Sequence, residues 1–388
     1  MMLPRNAVAL GGWVLLGAIA WILTPDTEFL NWGFCGSLAI VLLAEPLGNR
    51  VGHALTLGLA FAVIWLLGHQ GLAEAGLRRP ELPLALFGLG ALADIAMRPP
   101  RHPFTALGAF GIPGFILLSA MALTSMGLAH VATQDAVLLE ADRALGVLPS
   151  YAAARAFAAS PLLTGVATGL YKSLPLEVAL VFVASIRGAS PVLRPTRVLA
   201  NCAAAGLFGA IGYWICPAVG PRYAFPDFPA MSPPVLPLVA ISVSPEFPRN
   251  AMPSLHLTWA WLLWRGTRTV RWLGWATSAW LVGIAAASLG LGEHYLVDLV
   301  VAVPFAATIE ASLSGAKRQA WIGGGITVAW LIYFRAGGGL SPPLAWAVIV
   351  GTLAIGYWVG VPPVPRDAAP IGLRSWLGRW ATRDRGTN

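Results

Sequence analysis

Long apolar runs, interrupted by short polar or Gly/Pro-bearing breaks, set the pattern of this chain. A helix needs about 20 mainly apolar residues to cross the hydrocarbon core of a bilayer. By that measure the sequence predicts twelve spans, near 8–24, 31–48, 52–69, 82–97, 107–130, 162–186, 197–216, 251–265, 272–291, 294–313, 320–334 and 343–361. The short alternating segments of a closed barrel are absent, so the predicted fold is all-α, a polytopic integral membrane protein. Residues 8–24 read as a first spanning helix, not a removed signal, because no small-residue cleavage site with soluble sequence beyond follows them.

Two stretches depart from this pattern. Residues 131–160 set Leu138, Ala141, Leu145 and Leu148 at helical spacing among Asp135, Glu140, Asp142 and Arg143. That predicts an amphipathic helix lying in the non-cytoplasmic interface, with Asp142 interfacial and structural. Residues 217–250 hold nine prolines and little helical period, and so long an irregular segment in a compact protein is usually functional.

Composition agrees. Of 388 residues 57% are hydrophobic and only 11% charged, against roughly 25% charged in soluble domains. An ordinary soluble globule, a disordered chain and a nucleic-acid binder are thereby excluded. The net charge of +8 reads as loop bias. With an even number of spans both termini share a side, and 17 of the 25 Lys and Arg fall on it. The positive-inside rule then places both termini in the cytoplasm, as in a bacterial inner membrane protein. The basic tail 362–388, with Trp376 and Trp380 four apart, is expected on the cytoplasmic surface. Cys35, Cys202 and Cys216 form no C-x-x-C and read as small apolar residues.

Six histidines occur, and two have distinctive settings: Asn250-Ala251-Met252-Pro253-Ser254-Leu255-His256 and Gly292-Glu293-His294-Tyr295-Leu296-Val297-Asp298. Each follows a helix-breaking stretch and opens an apolar helix, which predicts both imidazoles in a first helical turn, at similar depth on the non-cytoplasmic side. Pro253 suits such a first turn. The N–H groups of a helix start offer an anion site. His294 and Asp298, four apart, share a helix face. A carboxylate on one ring nitrogen leaves the other free as base or nucleophile, and His256 is placed to donate a proton to a leaving oxygen. Arg222, in Gly220-Pro221-Arg222, is the first candidate to clamp phosphate and Arg249 the second. Lys172, inside an apolar run, reads either as a further phosphate contact or as a snorkelling or Glu177-paired cation. Glu293 is a candidate head-group contact.

These residues resemble a known family. Pro253-Ser254-Leu255-His256 is similar to the P-S-x-H motif of the type 2 phosphatidic acid phosphatase superfamily, and His294-x-x-x-Asp298 to its H-x-x-x-D motif. The surrounding wording is closer to the inositol phosphorylceramide synthase (inositol phosphotransferase) branch. The resemblance covers roughly 107–313. It implies a six-helix catalytic core there; accessory N-terminal helices at 1–106, a C-terminal helix pair at 314–361 and the basic tail at 362–388 lie outside the resemblance.

The resemblance also implies chemistry. His294 attacks phosphorus and forms a phosphohistidine, Asp298 orients it, and His256 handles the proton of the leaving and accepting oxygens. No metal or other cofactor is implied. Ser254 and Tyr295, inside the motifs, join Arg222, Arg249 and Lys172 as substrate contacts. The implied partners are a phospholipid or other lipid phosphate, an alcohol acceptor that is a lipid or water, and the bilayer itself. The implied field is lipid metabolism, including sphingolipids. The superfamily's Arg six residues before the second His is Ser288 here, and its K-x6-R-P motif is absent. Both departures point to phosphotransfer; phosphatase action with water as acceptor is the alternative. A proton-coupled transporter is a further rival, but it requires internal repeats, and none is visible.

Overall fold

The computed structural model describes residues 28–45, 58–59, 82–98, 100–189, 193–233 and 235–360. The expected spans 8–24 and 52–69 and the tail with Trp376 and Trp380 lie outside the described residues. The described chain is mostly helical. Helices α1 (Glu28–Ala44), α2 (Leu82–Met97) and α3 (Pro103–Ala129) come first. Next come α4 (Asp135–Arg143), α5 (Pro149–Ala158), α6 (Pro161–Lys172), α7 (Leu174–Ile186), α8 (Pro195–Ile215) and α9 (Pro221–Ala224). The last five are α10 (Leu255–Thr267), α11 (Arg271–Gly290), α12 (Leu296–Leu313), α13 (Lys317–Arg335) and α14 (Pro342–Val359).

Among the described residues five helices are long and apolar enough to cross a membrane, namely α3, α8, α11, α12 and α14, or six if the bent pair α6 and α7 is one span. The count of twelve is not confirmed among the described residues. The expected span 162–186 is two helices because Pro175 stands in the first turn of α7, where its ring is tolerated at a helix start but not in an interior. Helix α10 has only 13 residues, a length of about 20 Å, short of a bilayer core of about 30 Å.

The chain forms two compact units. One holds the described residues up to Ser119 together with Lys172–Leu199; the other holds Ala120–Tyr171 and the described residues from Ala200 onward. In the first unit α2 and α7 both pack on α1. The second unit is built around α12, which packs against α10, α13 and α14. Most of α12 is enclosed by protein, whereas the other candidate spans show most of their surface, as lipid-facing helices do. The C-terminal pair α13 and α14 belongs to this unit through Trp330, Leu331, Phe334 and Ile349. Far along α10 and α12 from their histidine ends, Arg265 Nε pairs with Glu310 at 3.0 Å and holds the two helices in register.

The stretch expected as one interfacial helix is instead the pair α4 and α5. Leu138, Ala141 and Leu145 are buried in the core with Val297, Val300 and Phe334. Their apolar face is therefore turned into the protein and not along a membrane surface. The proline-rich stretch is mostly irregular, as expected. It carries α9 and one short strand, Ile241–Ser242, paired antiparallel with Ala132–Thr133.

Candidate active site

The local sequence explains how each histidine is presented. Ser254 caps α10, its hydroxyl accepting the Leu257 N–H at 3.4 Å. Serine is a strong cap because its oxygen satisfies an otherwise orphaned N–H. Pro253 consequently stands before the cap and not in the first turn, and His256 is the second helical residue. At α12 the cap position is Tyr295, so His294 sits just ahead of the helix instead of inside its first turn. Asp298 turns back to accept the Tyr295 N–H at 2.8 Å, as acids at the third helical position do.

The two segments then dock. The Ser254 N–H donates to the Asp298 carbonyl at 3.3 Å. His294 Nδ1 lies 3.0 Å from the Ala251 carbonyl and 3.4 Å from Asp298 Oδ2. Two acceptors facing Nδ1 assign the proton to that nitrogen and leave Nε2 with its lone pair. Nε2 meets the Ser254 hydroxyl at 3.2 Å. The ring is buried. Burial pushes its pKa down to about 4, against the Glu293 charge and the Ala251 hydrogen bond, so the imidazole is neutral near pH 7. The His256 ring centroid stands 6.4 Å from that of His294, at 61°. Tyr171 stacks on His256 at 3.8 Å and 17°. His256, His294, Asp298 and Ser254 are thus brought together.

Not every expectation survives. The start of α12 is no open anion site: Asp142 accepts the Leu296 N–H at 2.8 Å and the Val297 N–H at 3.2 Å. Burial pushes the Asp142 carboxyl up to about 8, with the Leu296 N–H opposing. Asp135, two turns earlier on the same face of α4, accepts the Val219 and Gly220 N–H groups and the Tyr295 hydroxyl, the last at 2.9 Å. Tyr295, expected as a substrate contact, is therefore a fully buried brace whose one polar side-chain atom is bonded to Asp135.

Arg249 is a second correction. It is fully buried. Its Nε donates to the His130 carbonyl at 2.8 Å, Nη1 to the Ser244 and Phe247 carbonyls, and Nη2 to the Val243 carbonyl at 2.9 Å. A guanidinium so engaged ties the end of the proline-rich loop together and is not offered to a phosphate.

Arg222 is different, since 46% of its side chain is exposed. Its Nη1 meets Glu293 Oε1 at 2.8 Å, and the Tyr223 hydroxyl donates to the same oxygen at 3.4 Å. Burial raises the Glu293 pKa and the Arg222 charge draws it back. Lys172 closes α6, is half-buried, and belongs to the first unit. Ser288, where the superfamily pattern has Arg, accepts the Glu293 and His294 N–H groups on its carbonyl at 3.1 Å. Its own hydroxyl is buried without a partner. Among the described residues no group of three or more His, Cys, Asp or Glu is placed to hold a metal ion.

Sequence reasoning missed Asp135 as a brace, Asp142 as a helix cap and Tyr171 as a stacking partner. One signal was available for the acids. Positions 135 and 142 are two helical turns apart, so both carboxylates lie on one face of α4, a face that is otherwise apolar.

Comparison with curated proteins and with solved structures gave no match. Residues 136–311, the segment carrying the two histidines and Asp298, match the family model described as PAP2 superfamily, which supports a membrane enzyme of the lipid phosphatase or phosphotransferase type.

Proposed function

We propose that the protein is a lipid phosphotransferase of the inositol phosphorylceramide synthase-like type, acting at the non-cytoplasmic face of a bacterial inner membrane with both termini in the cytoplasm. The observation that carries the reading is the anchoring of His294: Nδ1 is held between the Ala251 carbonyl and Asp298, which leaves Nε2 as a nucleophile. In the first half-reaction Nε2 attacks phosphorus in line. The P–N bond forms, the P–O bond to the first alcohol breaks, and His256, protonated when the phosphate anion is bound, gives its proton to the departing oxygen. In the second half-reaction His256 takes the proton of an acceptor alcohol, whose oxygen attacks phosphorus and breaks the P–N bond. Arg222 and Ser254 bind the phosphoryl oxygens. Asp298 stabilises the cationic ring. Positioning and charge stabilisation carry most of the rate in such transfers.

The test is a trapping experiment on the purified full chain in phosphatidylcholine nanodiscs. A radiolabelled lipid phosphate is added and the reaction quenched in alkali, in which phosphohistidine survives. Label is expected on the wild type and not on His294→Ala. Full turnover by His294→Ala overturns the reading. With an added alcohol acceptor, label moves into a new lipid in a transferase, whereas free phosphate alone identifies a phosphatase.

A further inference from the structure

The ends of α10 and α12 remote from the histidines enclose a second charged centre. Arg265 and Glu310 meet there, Nε to Oε2 at 3.0 Å. That contact uses only one of the N–H groups of the guanidinium. Nη1 and Nη2 are buried, and neither has a hydrogen-bond partner. Unmet donors on a buried cation are costly. Arg249 shows the contrast: it is just as buried, yet each of its three nitrogens meets a carbonyl. The fold satisfies Arg249 completely and leaves the outer fork of Arg265 open.

The surroundings favour an anion. Arg268 lies three residues beyond Arg265 and feels the charges of Arg265 and Glu310 and the Tyr357 hydroxyl. Two guanidinium groups therefore face one carboxylate. The Arg268 side chain is half-buried and has neither hydrogen bond nor ion pair among the described residues, so it is free to swing and admit a ligand. The depth is that of a membrane interface. The end of α14 is close by, since a Cβ on Gly360 would lie 3.5 Å from that of Ala307, one turn before Glu310. At this same end α11, α13 and α14 expose Trp275, Trp321 and Tyr357, and such aromatics mark the headgroup level. Lys317 and Arg318, exposed at the start of α13, add positive charge.

We propose that this end of the second unit is a binding site for the phosphate of an anionic phospholipid: Arg265 Nη1 and Nη2 grip the headgroup phosphate as a fork, Glu310 holds the guanidinium in place from Nε, and Arg268 supplies a second guanidinium. A planar fork matches two phosphate oxygens at once, and basic pockets between membrane helices are suited to anionic headgroups. The bound lipid would tie α10, α12 and α14 together at the end opposite His294. The site shares no residue with the proposed reaction, and failure of the nucleophile assignment leaves it untouched.

The experiment measures Tm of the purified full chain in phosphatidylcholine nanodiscs, alone, with dioleoyl phosphatidylglycerol in the bilayer, or with inorganic phosphate in the buffer. Phosphatidylglycerol is expected to raise the wild-type Tm by about 3 °C or more, and inorganic phosphate to leave it unchanged. The rise should persist in Arg222→Met, which separates this site from the one near His294. It should be lost in Arg265→Lys, which keeps the charge and a donor for Glu310 but lacks the fork, and reduced in Arg268→Gln. No rise in the wild type overturns the proposal, and that measurement needs no variant. A rise with inorganic phosphate and none with phosphatidylglycerol overturns the lipid as source of the anion. A rise that survives Arg265→Lys undiminished reports general surface charge and overturns the role of the fork.

Discussion

The starts of α10 and α12 look alike in the sequence: a histidine, a helix-opening break and an apolar run. In three dimensions they do opposite things. At α10 a neutral serine caps one N–H and keeps its hydroxyl against His294 Nε2. At α12 carboxylates take up the helix start: Asp298 holds the Tyr295 N–H and Asp142 those of Leu296 and Val297. A helix start is an anion site only while its N–H groups lack an acceptor. The α12 end is thus a rigid mount for His294, and anion recognition is left to side chains.

The largest effect expected is at the mounted ring. His294→Ala should lower turnover by about four orders of magnitude or more, with an unchanged elution profile and Tm; normal activity in a folded variant breaks the contrast at its root. Next come the two arginines. Arg222→Met should reduce kcat/KM about 10- to 100-fold while the fold persists. Arg249→Met should instead lower Tm or yield, because four carbonyls lose their donor. The reverse pattern would exchange the roles assigned to them.

Smaller effects sharpen the comparison of the helix starts. Asp142→Ala leaves two N–H groups without acceptors, at about 1–3 kcal/mol each, whereas Ser254→Ala should destabilise by about 1 kcal/mol. Chemical denaturation of both variants reads the difference, and equal losses contradict it. The smallest effect is in the pH profile. His294 has a folded pKa of about 4, below the roughly 6.5 of a free imidazole. It stays neutral as pH falls from neutrality, so the acid limb it sets should lie near pH 4. Between those values the unfolded chain takes up a proton that the folded one refuses, so acidification through that range destabilises the fold. An acid limb at 6.5 that His294 variants abolish would contradict the burial of the ring.

Much of this was legible in the residues. The apolar runs marked most helices of the described chain to within a few residues, because a bilayer demands length and hydrophobicity in one continuous segment. The juxtaposition of His256, His294 and Asp298 was anticipated from two short motifs. What failed was the environment of individual polar groups. Arg249 and Arg222 are equally basic and equally close to prolines, and no local pattern tells which will be enclosed by carbonyls. Tyr295 lies inside a motif, yet its hydroxyl answers to Asp135, 160 positions away.

By itself the sequence determined the helical, membrane-directed character of the chain and the pairing of histidine with Asp298, since periodicity and i, i+4 geometry are local properties of a helix. Only the tertiary structure decided which donors and acceptors remain open for a substrate. A buried polar group takes the nearest partner that folding supplies, and here those partners come from α4 and the proline-rich loop, far off in the chain.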